Sequence, residues 1–508
     1  MERILVLDFG AQYAHLISRR IRELSVYSEL IPFDSTTSEI MAKNPKGLIL
    51  SGGPNSIYDS NSPVPDPEIF NLNIPILGIC YGLQVITHLH GGKVTNVDNK
   101  EYGKALLEIT NRDSLFKDIK TPTSVWMSHG DAPTDLPKDF EIIGKTNNSE
   151  FAAIQNSKNV FGIQFHPEVH HTIEGKQILK NFVYDICECK SNWKMESFIE
   201  NSIENLKSTI GNEKVICGLS GGVDSSVVSA LLNKAIGKNL QCVLVDHGLL
   251  RKNESDDVIN VFKDINVNIH LEHSEDEFLN AIDGIEDPEQ KRIIIGNKFI
   301  DVFTEVSNKK GPYKFLAQGT LYPDIIESAK STGPAVTIKT HHNVGGLPEK
   351  LGFELIEPLR DLYKDEVRII GKLLGLPNSI LKRHPFPGPG LAVRIIGVVN
   401  KEKLEICRDA SYIVEDELIK AGLYDDVWQA FAFIGDDKVV GVQGDQRSLG
   451  YIVTIKIIDS VDAMTADWVK VPYDILDVIS RRITNEIKSV TLVNFSITSK
   501  PPSTIEPQ

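Results

Sequence analysis

The sequence predicts an α/β protein: an N-terminal α/β domain, a central doubly wound α/β domain and a C-terminal α+β unit. Three observations predict it. Short apolar runs alternate with helical-period segments through most of the chain. Two of those runs end in glycine-rich turns, at 78–82 and 220–226, that lead straight into helical spacing. At His384 the composition changes abruptly to Pro-Phe-Pro-Gly-Pro-Gly. A chain of 508 residues holds about three domains at ~100–200 residues each. The breaks set them at 1–190, 191–383 and 384–508.

Taken in order, residues 3–9 read as a strand, 12–24 as a helix, 47–50 and 74–79 as strands, and 83–90 as a helix. Lys190-Ser191-Asn192-Trp193 interrupts the alternation. Beyond it, 215–219 is a strand, 227–236 a helix, 241–246 a strand, 258–263 helical and 314–317 a strand. In the last third, 439–443, 451–458 and 491–497 read as antiparallel strands. Ile475, Val478, Ile479, Ile483 and Ile487 mark one apolar helix face.

Apolar content of 41% and charged content of 24% are those of a soluble globular chain. There is no run of eighteen apolar residues for a membrane span and no signal-peptide form at the N-terminus. Six scattered cysteines suit a reducing compartment, so the cytoplasm is expected. Cys187 and Cys189, two apart in an expected helix, read as inert. A net charge of −15 argues against a nucleic-acid surface. The pairs His170-His171 and His341-His342 suggest no metal, because neighbouring strand side chains point to opposite faces.

The second glycine turn reads Ser220-Gly221-Gly222-Val223-Asp224-Ser225-Ser226. Its Gly-Gly step lets backbone N–H groups converge, and the helix start adds unpaired donors and a positive dipole end. That is a phosphate cradle, without the spacing of a Walker loop. It resembles the pyrophosphate loop of enzymes that split ATP into AMP and pyrophosphate.

The first glycine turn reads Gly78-Ile79-Cys80-Tyr81-Gly82. Such an elbow exposes a nucleophile at a helix N-terminus, where the dipole favours thiolate. The strand expected at 160–165 ends in His166-Pro167-Glu168, which supplies a base for Cys80 and a carboxylate to orient it. Ser51-Gly52-Gly53-Pro54 comes after another strand, so the N–H groups of Gly53 and Tyr81 are the oxyanion-hole candidates. Gly-Ile-Cys-Tyr-Gly with Phe-His-Pro-Glu-Val resembles the class I glutamine amidotransferases, which release ammonia from glutamine through a cysteinyl thioester.

Further stretches are similar to the glutamine-hydrolysing GMP synthetases: 318–328, 339–348, 383–391 and the tail 500–506. This resemblance spans essentially the whole chain and implies GMP synthesis from XMP, ATP and glutamine. It implies Asp324, Glu327 and Lys339 beside the nucleotide. Arg251, Arg383, His384, Gln443, Lys500, Ile505 and Glu506 would serve XMP recognition. It also implies Mg²⁺, to which Asp224 would contribute, and a homodimer formed through the C-terminal domain. Two positions depart from the family pattern. Pro507-Gln508 comes after Glu506 in place of Trp-Glu, and His247 stands between Asp246 and Gly248 where Asn is more common. NAD synthetase is the nearest rival, but its glutaminase domain is of another type and it lacks the Pro/Gly stretch. Asparagine synthetase needs an N-terminal cysteine, and a non-catalytic sensor would not keep both turns.

Overall fold

In the computed structural model these patterns become two compact units, residues 1–198 and 199–508. The structure describes residues 2–11, 13–59, 61–329, 352–443, 446–460 and 465–508. Lys339 and His341-His342 lie outside them, as do the side chains of Glu327 and Gln443.

In the first unit, Tyr27–Pro32, Arg3–Asp8, Gly47–Leu50, Ile76–Ile79 and Val160–Ile163 lie side by side in parallel. Every residue of the last three is buried, as a parallel strand covered on both faces requires. Ala153–Asn156, Phe140–Lys145, Lys93–Ile109 and Thr123–Asp135 extend the sheet antiparallel. Two apolar cores pack against it, one containing Ile17, Ile79 and Phe165, the other Leu50, Tyr81 and Leu83.

Two local expectations change. Cys187 and Cys189 come after a helical stretch rather than lie in one, because the helix Gly175–Lys180 passes into a wider turn, Asn181–Ile186, and stops. Both thiols are buried, which pushes Cys187 well above the ordinary range and Cys189 up to about 12. His170 and His171 sit in a turn, not a strand, so their rings do not diverge: the centroids are 3.7 Å apart and His171 stacks on Trp126.

The second unit holds a parallel sheet in the order Ile269–His273, Leu240–Asp246, Val215–Gly218, Phe315–Ala317, Glu354–Ile356. The chain runs outward from Val215–Gly218 on one side and then restarts on the other. The crevice at that reversal is where doubly wound sheets bind ligands. Gln429–Gln443 and Gln446–Asp459 form a long antiparallel hairpin, joined by Asp467–Trp468. The final strand, Val490–Phe495, pairs with Gln446–Asp459 in parallel rather than antiparallel. The helix Tyr473–Glu486 carries the chain back to the starting end, which is what a parallel return needs. One apolar core runs from Ile216 and Val243 through Leu391 and Ala410 to Ile455 and Ile483.

No helix among the described residues is long and apolar enough to cross a membrane.

Candidate active sites

Cys80 lies where Ile76–Ile79 meets the helix Tyr81–Leu89, with φ +52° and ψ −103°. The turn is this tight because its glycines allow it. A Cβ on Gly78 would come within 2.6 Å of the Gly82 carbonyl oxygen, and one on Gly82 within 2.3 Å of the Leu50 oxygen. Val160–Ile163 is the neighbouring strand, in register with Ile79 opposite Ile163, so the residues after Ile163 land beside Cys80. The Cys80 N–H donates to Ile163 O at 2.8 Å. His166 lies close enough to Cys80 to interact with it electrostatically, and its Nδ1 donates to Glu168 Oε1 at 2.7 Å.

Burial works against charging His166. The Glu168 carboxylate and Cys80 outweigh it and hold the imidazole pKa well above its ordinary value. Thr172 donates to His166 O at 2.6 Å, and Arg20 Nε to Glu168 O at 2.9 Å, which fixes the strand end. The glycine loop closes the other wall: a Cβ on Gly52 would sit 3.3 Å from His166 Cε1, and one on Gly53 the same distance from Tyr81 Cδ1. Tyr81, first in its helix, has no intrahelical acceptor for its N–H by position. Sequence reasoning missed Gln164, whose Nε2 donates to Cys80 Sγ at 3.8 Å. Its signal was its place two residues before His166 on the same strand end.

In the second unit, Val215–Gly218 turns through 219–222 into the helix Val223–Ile236. Gly221 has φ +74°, and a Cβ there would meet Val258 Cγ2 at 2.8 Å. Ser225 Oγ accepts from Ser220 N at 3.2 Å and lies 3.1 Å from Ser220 Oγ. The two serines thereby bridge the ends of the turn. The loop borders a cleft of about 410 Å³ with Arg251, Lys364, Arg383 and His384. Lys364, missed from sequence, bonds Asp224 Oδ2, while Asp224 Oδ1 is buried with no hydrogen-bond partner among the described residues.

Behind the loop, the buried Glu254 accepts from Arg383 Nη1 at 3.0 Å and from the Arg251 N–H at 2.9 Å. Arg251 Nη2 donates to His384 O at 2.7 Å, tying the Pro/Gly stretch to the cleft. His384 stacks on Tyr424, and burial pushes its pKa down to about 4. His247 is likewise pushed by burial to about 4, and its Nδ1 accepts from Leu249 N at 3.2 Å. A neutral imidazole does there what an Asn side-chain oxygen would do.

The remaining residues divide. Asp324 opens the helix Tyr322–Ala329, accepting from Leu321 N at 2.9 Å, and Glu327 lies in the same helix. Glu506 is held by the buried Arg394 in two bonds of 3.0 and 2.9 Å, and by Gln429 at 2.7 Å. Gln429 also donates to Pro385 O at 3.1 Å, so the tail is moored beside the Pro/Gly stretch. Lys500 pairs through its backbone with Ala466, and Ile505 is half-buried next to Glu506. Arg394 gave no motif signal, because its partner lies far along the chain.

Comparison with known proteins agrees segment by segment. Residues 5–186 match the class-I glutamine amidotransferase family, 194–298 the NAD synthase family, and 416–507 the GMP synthase C terminal domain. A GMP synthase (glutamine-hydrolyzing) from Aquifex aeolicus is 53% identical over 504 residues, covering 99% of each chain. Its counterpart from Caldanaerobacter subterraneus subsp. tengcongensis is 54% identical over 507 residues, again 99% of each. The chain belongs to the glutamine-hydrolysing GMP synthase family. The NAD synthase match is confined to the segment around the phosphate loop, whereas the GMP synthase relatives match from end to end. Cys80 therefore sits in the segment that matches the amidotransferases, and 220–226 in the segment that matches the NAD synthases.

Proposed function

We propose that this chain makes GMP from XMP, ATP and glutamine. The Cys80–His166–Glu168 line, in a chain that matches GMP synthases over 99% of its length, carries that proposal. Cys80 Sγ attacks the glutamine carboxamide carbon, and the N–H groups of Gly53 and Tyr81 receive the oxyanion. His166 gives its proton to the departing nitrogen, so the C–N bond breaks and ammonia leaves a γ-glutamyl thioester. Water then attacks the thioester with His166 as base, releasing glutamate and restoring the thiol.

In the second unit the XMP 2-oxygen attacks the α-phosphate of ATP and pyrophosphate leaves. Ammonia then displaces AMP at carbon 2. Ser220, Gly221, Gly222, Val223, Ser225 and Ser226 hold the pyrophosphate end through N–H and hydroxyl donors. Asp224 Oδ1, buried without a partner among the described residues, fits a cation, and Mg²⁺ takes one or two carboxylates together with phosphate oxygens. Bound there, Mg²⁺ would neutralise charge on the phosphates. Asp324, Glu327 and Lys339 serve the nucleotide. Arg251, Arg383, His384, Gln443, Lys500 and Ile505 serve XMP, and Glu506, moored on Arg394, keeps the tail in place.

The enzyme works as a homodimer. The apolar face of Tyr473–Glu486 supports this less than the sheet does, since Ile479 and Ile483 are spent in the unit's own core. Val440, Val442 and Leu449 stand 66%, 75% and 66% exposed on the hairpin, and they form the pairing surface.

The test is GMP formation from ATP, Mg²⁺ and XMP with glutamine or with ammonium. Cys80→Ala is expected to lose the glutamine-driven rate by roughly a thousandfold and to keep the ammonium-driven rate. Wild-type protein that makes no GMP with either nitrogen source would overturn the assignment.

A further inference from the structure

We propose that Glu101 is a positioning residue of the glutamine-hydrolysing site, acting through His129 on the strand that walls Cys80. The inference rests on the reading of Cys80 as the glutaminase nucleophile.

Thr123–Asp135 touches His166, Cys80 and the helix that begins at Cys80. Trp126 O accepts from His166 N at 3.0 Å, Ser128 O lies 3.7 Å from Cys80 Sγ, and Asp131 O accepts from Gln84 Nε2 at 2.9 Å. Gln84 is on the helix that Cys80 begins. Residues 126–131 therefore wall the space beside Cys80, and a small shift of that strand changes the surface that a bound glutamine meets.

The strand pairing is irregular at this place. Its pairing with Lys93–Ile109 steps from Asn96 opposite Asp131 to Glu101 opposite His129, so extra chain is let out on the partner strand. Side chains that bond across such an irregularity hold the two strands in one register. Two contacts do so: Asn96 Nδ2 to Asp131 Oδ1 at 2.9 Å, and His129 Nε2 to Glu101 Oε2 at 3.3 Å. The second is buried, with side-chain exposures of 1% for His129 and 6% for Glu101. Glu101 is in turn held by Thr146 Oγ1 at 3.0 Å, and that hydroxyl accepts from Ser149 N at 3.0 Å.

A buried carboxylate and imidazole cost more than apolar side chains of the same volume, so packing alone does not account for them. What the pair adds is a fixed register beside Cys80.

The experiment measures glutamine hydrolysis and ammonium-driven GMP formation on the full chain for Glu101→Leu, Glu101→Gln, Thr146→Val and Cys80→Ala. Glu101→Leu is expected to raise the glutamine KM about 10-fold with kcat changed less than about threefold, and to leave the ammonium-driven rate within about twofold. Glu101→Gln keeps an oxygen for His129 and Thr146 and should restore KM to within about threefold of wild type. A wild-type KM in Glu101→Leu, or equal damage from Leu and Gln, overturns the proposal. If Glu101→Leu does not fold, Thr146→Val decides: a glutamine KM raised about threefold supports the proposal and an unchanged one overturns it. Cys80→Ala separates the two readings. If it still hydrolyses glutamine, the nucleophile is misassigned. If it does not while the Glu101 and Thr146 variants behave as wild type, only the positioning role fails.

Discussion

Three buried histidines show how neighbours decide a protonation state. His166, His247 and His384 all lose hydration, and burial alone would drive each towards the neutral form. Only His166 has a carboxylate at 2.7 Å, and only His166 is held charged. The pH dependence of stability therefore takes opposite signs. The raised value of His166 contributes stability below about pH 6.5 that is lost as pH rises through the folded value. The lowered value of His247 works the other way: the unfolded chain takes up its proton first, and stability falls as pH drops from about 6.5 to about 4. His247→Asn should therefore lose less stability than wild type between pH 7 and pH 5, read as the shift in urea midpoint. Equal shifts in both proteins would show that His247 is not neutral in the folded state. Cys80, His166 and Glu168 could be found in the sequence because each stands in a short recognisable turn. Lys364, Arg394 and Glu101 could not, because each owes its place to a partner more than twenty residues away.

The strand–turn–helix junction at Cys80 depends on backbone approach that a single methyl group would block. Gly82 is the tightest position, since its Cβ would overlap the Leu50 carbonyl, and strand Gly47–Leu50 cannot yield without disturbing both neighbours. Gly82→Ala should cost about 1–3 kcal/mol by overpacking. It should also lower glutamine hydrolysis by displacing Cys80, with ammonium-driven GMP formation retained. The first unfolding midpoint and the two rates check this, and an unchanged midpoint would mean that the helix shifts freely. Strand and helix positions came from apolar periodicity. The direction of Val490–Phe495 did not, because periodicity reports which faces are buried and not which way a strand runs. The stop before Cys187 was equally hidden, since nothing in that stretch is a strong helix breaker.

At the level of the whole chain, the amidotransferase line and the phosphate loop lie in different compact units. Pairing through the exposed hairpin predicts a light-scattering mass of twice the 56.4 kDa chain at micromolar concentration, falling towards one chain mass in Val442→Asp. A wild-type monomer at that concentration would reject the dimer. Order along the chain carried the fold class: apolar runs and glycine turns act locally, so their meaning survives in one dimension. The two candidate sites were readable for the same reason, since an elbow and a glycine turn into a helix are each built within about seven residues. Packing across the sheets settled the rest. It moored Glu506 on Arg394, set Lys364 on Asp224, consumed the apolar helix face of Tyr473–Glu486, and put a buried Glu101–His129 contact beside Cys80. Those outcomes depend on burial and on distance in space, which no local pattern of residues encodes.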